Sequence, residues 1–123
     1  MDNTPSAYAR MFAQAIDTKF RTVQRASWQS LAGATIPAEK VEGVSVLPGR
    51  KFDRIVITDS EGNARSAHAF VDRATGDLIK AAGWSAPQKD AGGLAIRYNL
   101  ATPEGLAQAV HAAEYTGGYL YKR

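Results

Sequence analysis

The residues with the clearest chemical potential in this 123-residue chain are cations and aromatic rings in its second half. They are Lys80, Trp84, Lys89, Arg97 and Tyr98, followed directly by Asn99, with Tyr119 and Tyr121 near the end. Exposed rings beside cations suit single-stranded nucleic acid or another anionic ligand, because bases stack on the rings while Lys and Arg meet the phosphates. The structural alternative is that Trp84 and Tyr98 close the edge of a small core beneath the stems of the cations. The sequence leaves both interpretations open.

The two histidines do not point to catalysis or to a metal. Ser66, His68, Phe70 and Asp72 alternate, which predicts one face of one strand. Side chains two positions apart on a strand stand about 7 Å apart, whereas a nucleophile and its base need about 3 Å. His111 has a single carboxylate at helical spacing, and the chain contains no cysteine. We therefore expect a protein that is not an enzyme, with no catalytic residue, no metal and no cofactor.

A second candidate surface comes from the uneven distribution of a net charge of only +3. Residues 5–32 hold four cations against one acid, Asp17. The cations are Arg10, Lys19, Arg21 and Arg25. In the helix predicted there, Trp28 falls on the polar side. Either the helix kinks before Trp28, or this ring packs on the domain's own sheet or on a partner chain. Arg21, Arg25 and Trp28 are thus the candidate interaction residues, unless the cations simply form a solvated helix face.

The elements that must position these residues follow from periodicity and turn residues. Thr4 and Pro5 predict a helix start, and an apolar stripe at three- and four-residue spacing runs over residues 5–32. Strands are predicted at 41–47, 51–58, 64–72 and 78–82, with an irregular segment from 83 and a short edge strand at 96–100. A helix at 103–115 and a final strand at 119–121 complete the chain. The fold class is α+β: an N-terminal helix, a three- to four-stranded antiparallel meander within residues 41–100, an irregular loop and a C-terminal helix in a single domain.

About a third of the chain also resembles a known family. The pattern H-x-F-V-D, T-G-D, K-A-A-x-W, A-P-x-K and R-Y-N-L is similar to that of small uncharacterised proteins of tailed bacteriophages. The matching runs are His68–Asp72, Thr75–Asp77, Lys80–Trp84, Ala86–Lys89 and Arg97–Leu100. In this chain DAGGLAI separates Lys89 from RYNL, runs that stand close together in the family. The resemblance implies a phage origin, and with it a place in the host cytoplasm or the virion, but it implies no reaction.

Together these observations predict a small accessory protein that binds nucleic acid or another anionic ligand through the cation–aromatic residues. The alternative is a structural or interaction protein, a virion component or a modulator of a host protein, that uses the N-terminal helix as its contact. The expected partners are single-stranded nucleic acid or a host or virion protein, and a homo-oligomer is compatible with the second reading. No run approaches the roughly 20 apolar residues of a membrane span, so we expect no membrane partner.

Overall fold

A computed structural model describes residues 4–121 of the chain. It has an N-terminal helix, an antiparallel sheet and a C-terminal helix, which confirms the α+β class. The helices are α1 (Ala7–Ala32) and α2 (Pro103–Ala112), and short 3-10 turns lie at Ala38–Lys40 and Gly118–Leu120. The strands are β1 (Gly43–Leu47), β2 (Phe52–Thr58), β3 (Ala64–Asp72), β4 (Asp77–Lys80), β5 (Lys89–Asp90), β6 (Gly93–Leu94) and β7 (Ile96–Asn99).

Five strands form the main sheet in the order β1-β2-β3-β4-β7, with antiparallel neighbours throughout. The predicted meander therefore continues by one strand, and the short strand β7 forms the edge of the sheet beside β4. Both helices pack on one face, because the main apolar cluster joins residues of α1 and α2 to alternate residues of the strands. A second, smaller cluster on the other face contains Phe70, Ile79 and Ala95 and no helix residue. One face of the sheet is thus covered by helices and the other only by the segment after β4. No helix within residues 4–121 is both long and apolar enough to cross a membrane.

Helix α1 is longer than the core that it covers. Ser6 caps its start by accepting a hydrogen bond from Ala9 N, so the helix begins two residues later than Pro5, the predicted first position. Its buried residues are Ala9, Phe12, Ala13, Ile16 and Phe20, and none follows Phe20. The helix continues unbroken to Ala32 over 26 residues, about 39 Å at the usual rise. The last two turns, residues 25–32, therefore project beyond the sheet, and of the two alternatives for Trp28 the kink does not occur.

Polar side chains of α1 fasten it to the edge strand β1. The Asp17 carboxylate accepts a hydrogen bond of 2.8 Å from Val44 N. The Gln24 amide donates to the carbonyl oxygen of Glu42 and accepts from its N–H, each at 2.8 Å. A Cβ at Gly43 would collide with the guanidinium of Arg21 and the carboxylate of Asp17. Only a glycine lets the helix side chains approach the strand backbone this closely.

A buried carboxylate ties the start of α1 to two turns of the sheet. Asp53 is fully buried and accepts hydrogen bonds from Ser6 N at 2.9 Å and from Gly49 N at 3.4 Å. It also forms an ion pair with Arg73 in the turn after β3, and Arg73 donates to the carbonyl oxygen of Thr4. Asp53 is therefore not an isolated buried charge, because every contact that it makes neutralises or solvates the carboxylate.

The strand prediction for residues 64–72 was correct in its limits but wrong about one face. Ile55 pairs with Ala69 while Val56 pairs with Ala67, so His68 is an extra residue in a β-bulge. A bulge shifts the alternation by one position. His68 consequently contacts Phe20 on the helix side, whereas Phe70 belongs to the cluster on the other face.

Two further predictions along the chain were wrong in their local structure. The segment after residue 83 contains the small hairpin β5–β6, in which Lys89 pairs with Leu94 and Gly93 takes a φ of 117°. Near the end, α2 stops at Ala112 rather than 115, and Gly118–Leu120 forms a 3-10 turn instead of a strand. The turn follows Gly117, whose φ of 78° redirects the chain.

Candidate functional site

The predicted ligand-binding residues separate into two groups on different sides of the sheet. Arg97 and Tyr98 line a pocket between β7, α2 and the C-terminal turn. Trp84 instead lies beside Arg54, whose guanidinium is packed on Phe70 of the other face. A single surface containing all six predicted residues does not exist, so each group has to be judged by its own contacts.

Asn99 has a structural position at the end of β7. Its side-chain amide donates to the carbonyl oxygen of Thr75 at 3.0 Å and to the Asp77 carboxylate at 2.9 Å. Its side-chain oxygen accepts from Ala101 N at 3.0 Å. Because donor and acceptor are both engaged, Asn99 holds the β3–β4 turn against the start of α2.

Arg97 is also held by neighbours within the chain. Its Nε donates to the carbonyl oxygen of Leu120 at 2.7 Å, and its Nη1 pairs with the Asp90 carboxylate at 3.0 Å. Tyr98 is half-buried, and its ring centroid lies 6.2 Å from that of Tyr119. These residues line a cavity of about 530 Å³ that also receives Tyr121 and residues of α2.

Lys80 and Lys89 have different surroundings. The Nζ of Lys80 donates to Gln88 at 2.9 Å and lies 4.4 Å from the centroid of the Tyr121 ring. Lys89 is exposed on β5 and pairs with Leu94 through its backbone. Arg97 forms its ion pair with Asp90, the neighbour of Lys89, within the segment that separates Lys89 from RYNL.

A buried histidine–tyrosine pair forms the wall behind the pocket. His68 Nε2 and the Tyr119 hydroxyl are 2.7 Å apart. Burial lowers the pKa of His68 from 6.5 to about 4 and raises the pKa of Tyr119 above its ordinary value of 10.0. Both groups are therefore neutral at pH 7 and hold the Tyr119 ring in place. Sequence reasoning placed His68 on a strand of the sheet but missed this partner, because the two are 51 positions apart.

The face of the sheet opposite the helices carries a cation that sequence reasoning did not single out. The Arg54 guanidinium lies 4.7 Å from the Trp84 ring centroid and 5.5 Å from that of Phe70. Trp84 is 45% exposed. Among residues 4–121, Arg54 forms no ion pair, and its buried Nε has no hydrogen-bond partner. The alternation of β2 was the available signal, because a cation between the buried Ile55 and Asp53 must point to the opposite face.

At the end of α1, the three predicted interaction residues have different surroundings. Arg21 forms an ion pair with Asp17 at 3.0 Å and serves the junction with β1. Arg25 is exposed. Trp28 is half-buried, belongs to neither apolar cluster, and lines a small cavity of about 230 Å³ with Leu31, which is 88% exposed.

Acidic and histidine side chains do not assemble into a metal site within the part of the chain that the structure describes. A family model matches residues 4–122. The chain belongs to DUF7717, a family of unknown function. No curated protein and no solved structure matches the chain.

The family match covers both candidate surfaces and both helices. The shorter resemblance to phage proteins did not cover the helices. The family description names no ligand or reaction and gives no indication of a phage origin. For this DUF7717 member, functional inference therefore depends on the geometry of the two surfaces and of the α1 end.

Proposed function

We propose that this protein is a non-enzymatic accessory protein that binds single-stranded nucleic acid through the face of its sheet opposite the helices, at the border of the segment after β4. The proposed contacts are Trp84, Arg54 and Phe52, with Lys51 and Lys89 nearby as phosphate contacts. A phage source, and with it a place in the host cytoplasm or the virion, is part of the same proposal. It rests on the sequence resemblance alone.

The observation that carries the proposal is the pairing of Arg54 with Trp84. A guanidinium stacked 4.7 Å from an exposed indole, with no carboxylate partner among residues 4–121, keeps its charge available. An exposed ring offers a stacking surface for any base, and an adjacent Arg adds attraction for the phosphate.

The neighbouring charges agree with an anionic ligand on this face. Lys51 is exposed, and its Nζ lies 5.4 Å from the centroid of the partly buried Phe52 ring. Asp72, two positions after Phe70, accepts hydrogen bonds from the backbone N–H groups of residues 74 and 75. The carboxylate of Asp72 is thus hydrogen-bonded within its own turn, whereas Lys51 and Arg54 lie against aromatic rings.

Binding of a fluorescent single-stranded oligonucleotide, followed by anisotropy at several salt concentrations, tests the proposal. Affinity should fall steeply as the salt concentration rises, because the Lys and Arg side chains of the protein displace counterions from the phosphates. Trp84→Ala should weaken binding about 5- to 150-fold, the value expected for one lost stacking contact. Arg54→Met keeps the apolar stem over Phe70 and should lower the salt dependence by about one counterion.

Trp28→Ala is the matched control, because it removes the chain's other Trp from the far end of α1. It should leave oligonucleotide affinity unchanged. Absence of binding at low salt, or binding that neither Trp84→Ala nor Arg54→Met weakens, would show that the proposed face is not a nucleic-acid surface.

A second candidate function is a structural or interaction role for the projecting end of α1. The observation that favours it is Leu31, an 88% exposed apolar side chain beside the apolar cavity lined by Ser27, Trp28, Leu31 and Ala32. A projection next to a cavity on one helix suits an isologous contact, in which each of two copies inserts Leu31 into the cavity of the other. The proposed occupant is therefore a second copy of the chain.

Light scattering as a function of protein concentration tests this second role. The wild-type chain should form a dimer, and Leu31→Glu should shift it to the monomer without loss of helical circular dichroism. The exposed Ser30→Glu is the charge-matched control on the neighbouring position and should leave the dimer intact. A wild-type chain that stays monomeric at the highest soluble concentration would contradict the self-association.

A further inference from the structure

The pocket beside β7 has the size and composition of a small-molecule site, independent of the Trp84 face. Its volume of about 530 Å³ lies within the roughly 300–1,000 Å³ typical of ligand pockets. Strand β7 supplies Ile96, Arg97 and Tyr98 to its lining, α2 supplies Gln108 and His111, and Tyr121 follows the C-terminal turn. Residues from three separate elements thus converge on one concavity.

The aromatic side of this pocket is held in place before any ligand arrives. The Tyr119 ring is fixed by its hydrogen bond to buried His68 and packs against Tyr98. Tyr121 is 62% exposed, with Lys80 4.4 Å from its centroid. Rings that are already positioned lose little conformational entropy when a flat ligand stacks on them.

The polar side offers hydrogen-bonding groups that the fold does not use. The bonds of Arg97 to Leu120 and Asp90 occupy Nε and Nη1, and a guanidinium carries further N–H donors. Among residues 4–121, the side chains of Gln108 and His111 make no hydrogen bond or ion pair. They lie three positions apart on α2 and so share one side of that helix. Donors and acceptors therefore face the same cavity as the tyrosine rings.

The balance of charge narrows the class of ligand. Asp90 compensates Arg97, so the polar side does not present the cluster of unpaired cations that a polyphosphate requires. A purely apolar ligand would make no use of the polar groups of Gln108 and Arg97. A planar heteroaromatic ring satisfies both sides, since its faces stack on tyrosine and its edge carries donors and acceptors of the kind that Gln and Arg recognise on bases.

We propose that the pocket formed by Arg97, Tyr98, Gln108, His111 and Tyr121 binds a nucleobase. The base belongs either to a free nucleotide or to the end of a single strand, and the chemistry of recognition is the same in both. This site does not depend on the Trp84 face, so either can fail alone.

Calorimetric titration of the full chain with AMP, CMP, GMP and UMP tests the pocket, with ribose 5-phosphate as the ligand that lacks a base. At least one nucleotide should bind saturably, and ribose 5-phosphate should not. Tyr121→Ala should weaken binding about tenfold through the lost stacking contact, while Tyr121→Phe, which keeps the ring, should not. Gln108→Ala should change the preference among the four bases.

Trp28→Ala, outside both proposed nucleotide surfaces, is the control and should leave mononucleotide affinity unchanged. A loss of mononucleotide affinity that is larger for Tyr121→Ala than for Trp84→Ala separates this pocket from the Trp84 face. Binding seen only with an oligonucleotide, and weakened by Tyr121→Ala as well as by Trp84→Ala, would assign the base to a strand end. The proposal is overturned if neither mononucleotides nor oligonucleotides respond to Tyr121→Ala, or if ribose 5-phosphate binds as well as the nucleotides. Tyr121 and Gln108 are exposed, so both variants should fold.

Discussion

At the residue scale, His68 shows how one inserted position changes what a side chain can do. Its alternation with Ser66, Phe70 and Asp72 indicated a shared face, and distance along the strand argued against a catalytic triad. The bulge opposite Ile55 and Val56 instead turns His68 toward Phe20 and Tyr119, where burial keeps the ring neutral. A bulge cannot be recognised from hydrophobic pattern alone, because the surrounding residues are apolar on both faces.

The lowered pKa of His68 predicts a specific loss of stability in acid. In the unfolded chain His68 takes up its proton near pH 6.5, whereas in the folded protein it does so only near pH 4. The contribution of the neutral ring is therefore complete above pH 6.5 and falls by about 3 kcal/mol as the pH drops to 4. His68→Gln keeps a polar partner for Tyr119 and does not titrate.

Urea unfolding at a series of pH values measures this effect. The free energy of unfolding of the wild type should fall more steeply between pH 6.5 and 4 than that of His68→Gln, since acids that titrate in the same range are common to both. Parallel curves for the two proteins would mean that His68 does not carry the expected proton linkage.

The residues of the predicted ligand set differ in how many of their polar groups the fold already uses. Trp84 was recognisable because a large ring follows a strand and a glycine, outside any apolar alternation. Asn99 and Arg97 are residue types that are common in binding sites. In this fold, however, both are bonded to backbone and acidic groups that are distant in sequence. Residue type shows what a side chain can bond to, but only the fold shows whether that capacity is already used.

At the element scale, α1 was the most predictable part of the chain. Its stripe at three- and four-residue spacing identifies the helix, and the positive φ of Gly33 ends it. The stripe also continues through Val23 and Leu31, so sequence could not show where the sheet beneath it ends. Because no residue of α1 after Phe20 is buried, the periodicity that predicts a core helix extends into an exposed stretch, for which a contact with a second copy is proposed above.

The β5–β6 hairpin was missed because its strands have only two residues each. Gly92, Gly93 and the preceding Pro87 correctly indicate a turn, but no alternation can be read from so short a ladder. The hairpin matters because it brings Asp90 to Arg97. An element too short for sequence recognition thus decides whether Arg97 is a free cation.

At the scale of the whole molecule, the helices lie on one side and leave the other to rings and cations. A net charge of +3 alone indicates little about this arrangement. Two of the cations of the first helix bind other groups of the chain. Lys19 donates to the carbonyl oxygens of Val110 and His111 at the end of α2. Arg21 forms an ion pair with Asp17. A count of charges along the chain therefore overstates how many cations of α1 are left to contact a ligand, and it does not single out Arg54.

The Asp53 contacts give α1 two ends with different dynamics. The first turn is joined to the β1–β2 turn through Asp53 and to the turn after β3 through Arg73, so its opening requires the sheet to come apart. The last two turns, residues 25–32, have no such connection to the described residues of the sheet. Amide hydrogen exchange should accordingly be slowest over residues 9–20, at the rate of global unfolding, and markedly faster over residues 25–32. Uniform protection along the helix would contradict this division, whereas a gradient would make α1 a rod fixed at one end whose free end samples open states while the domain stays folded.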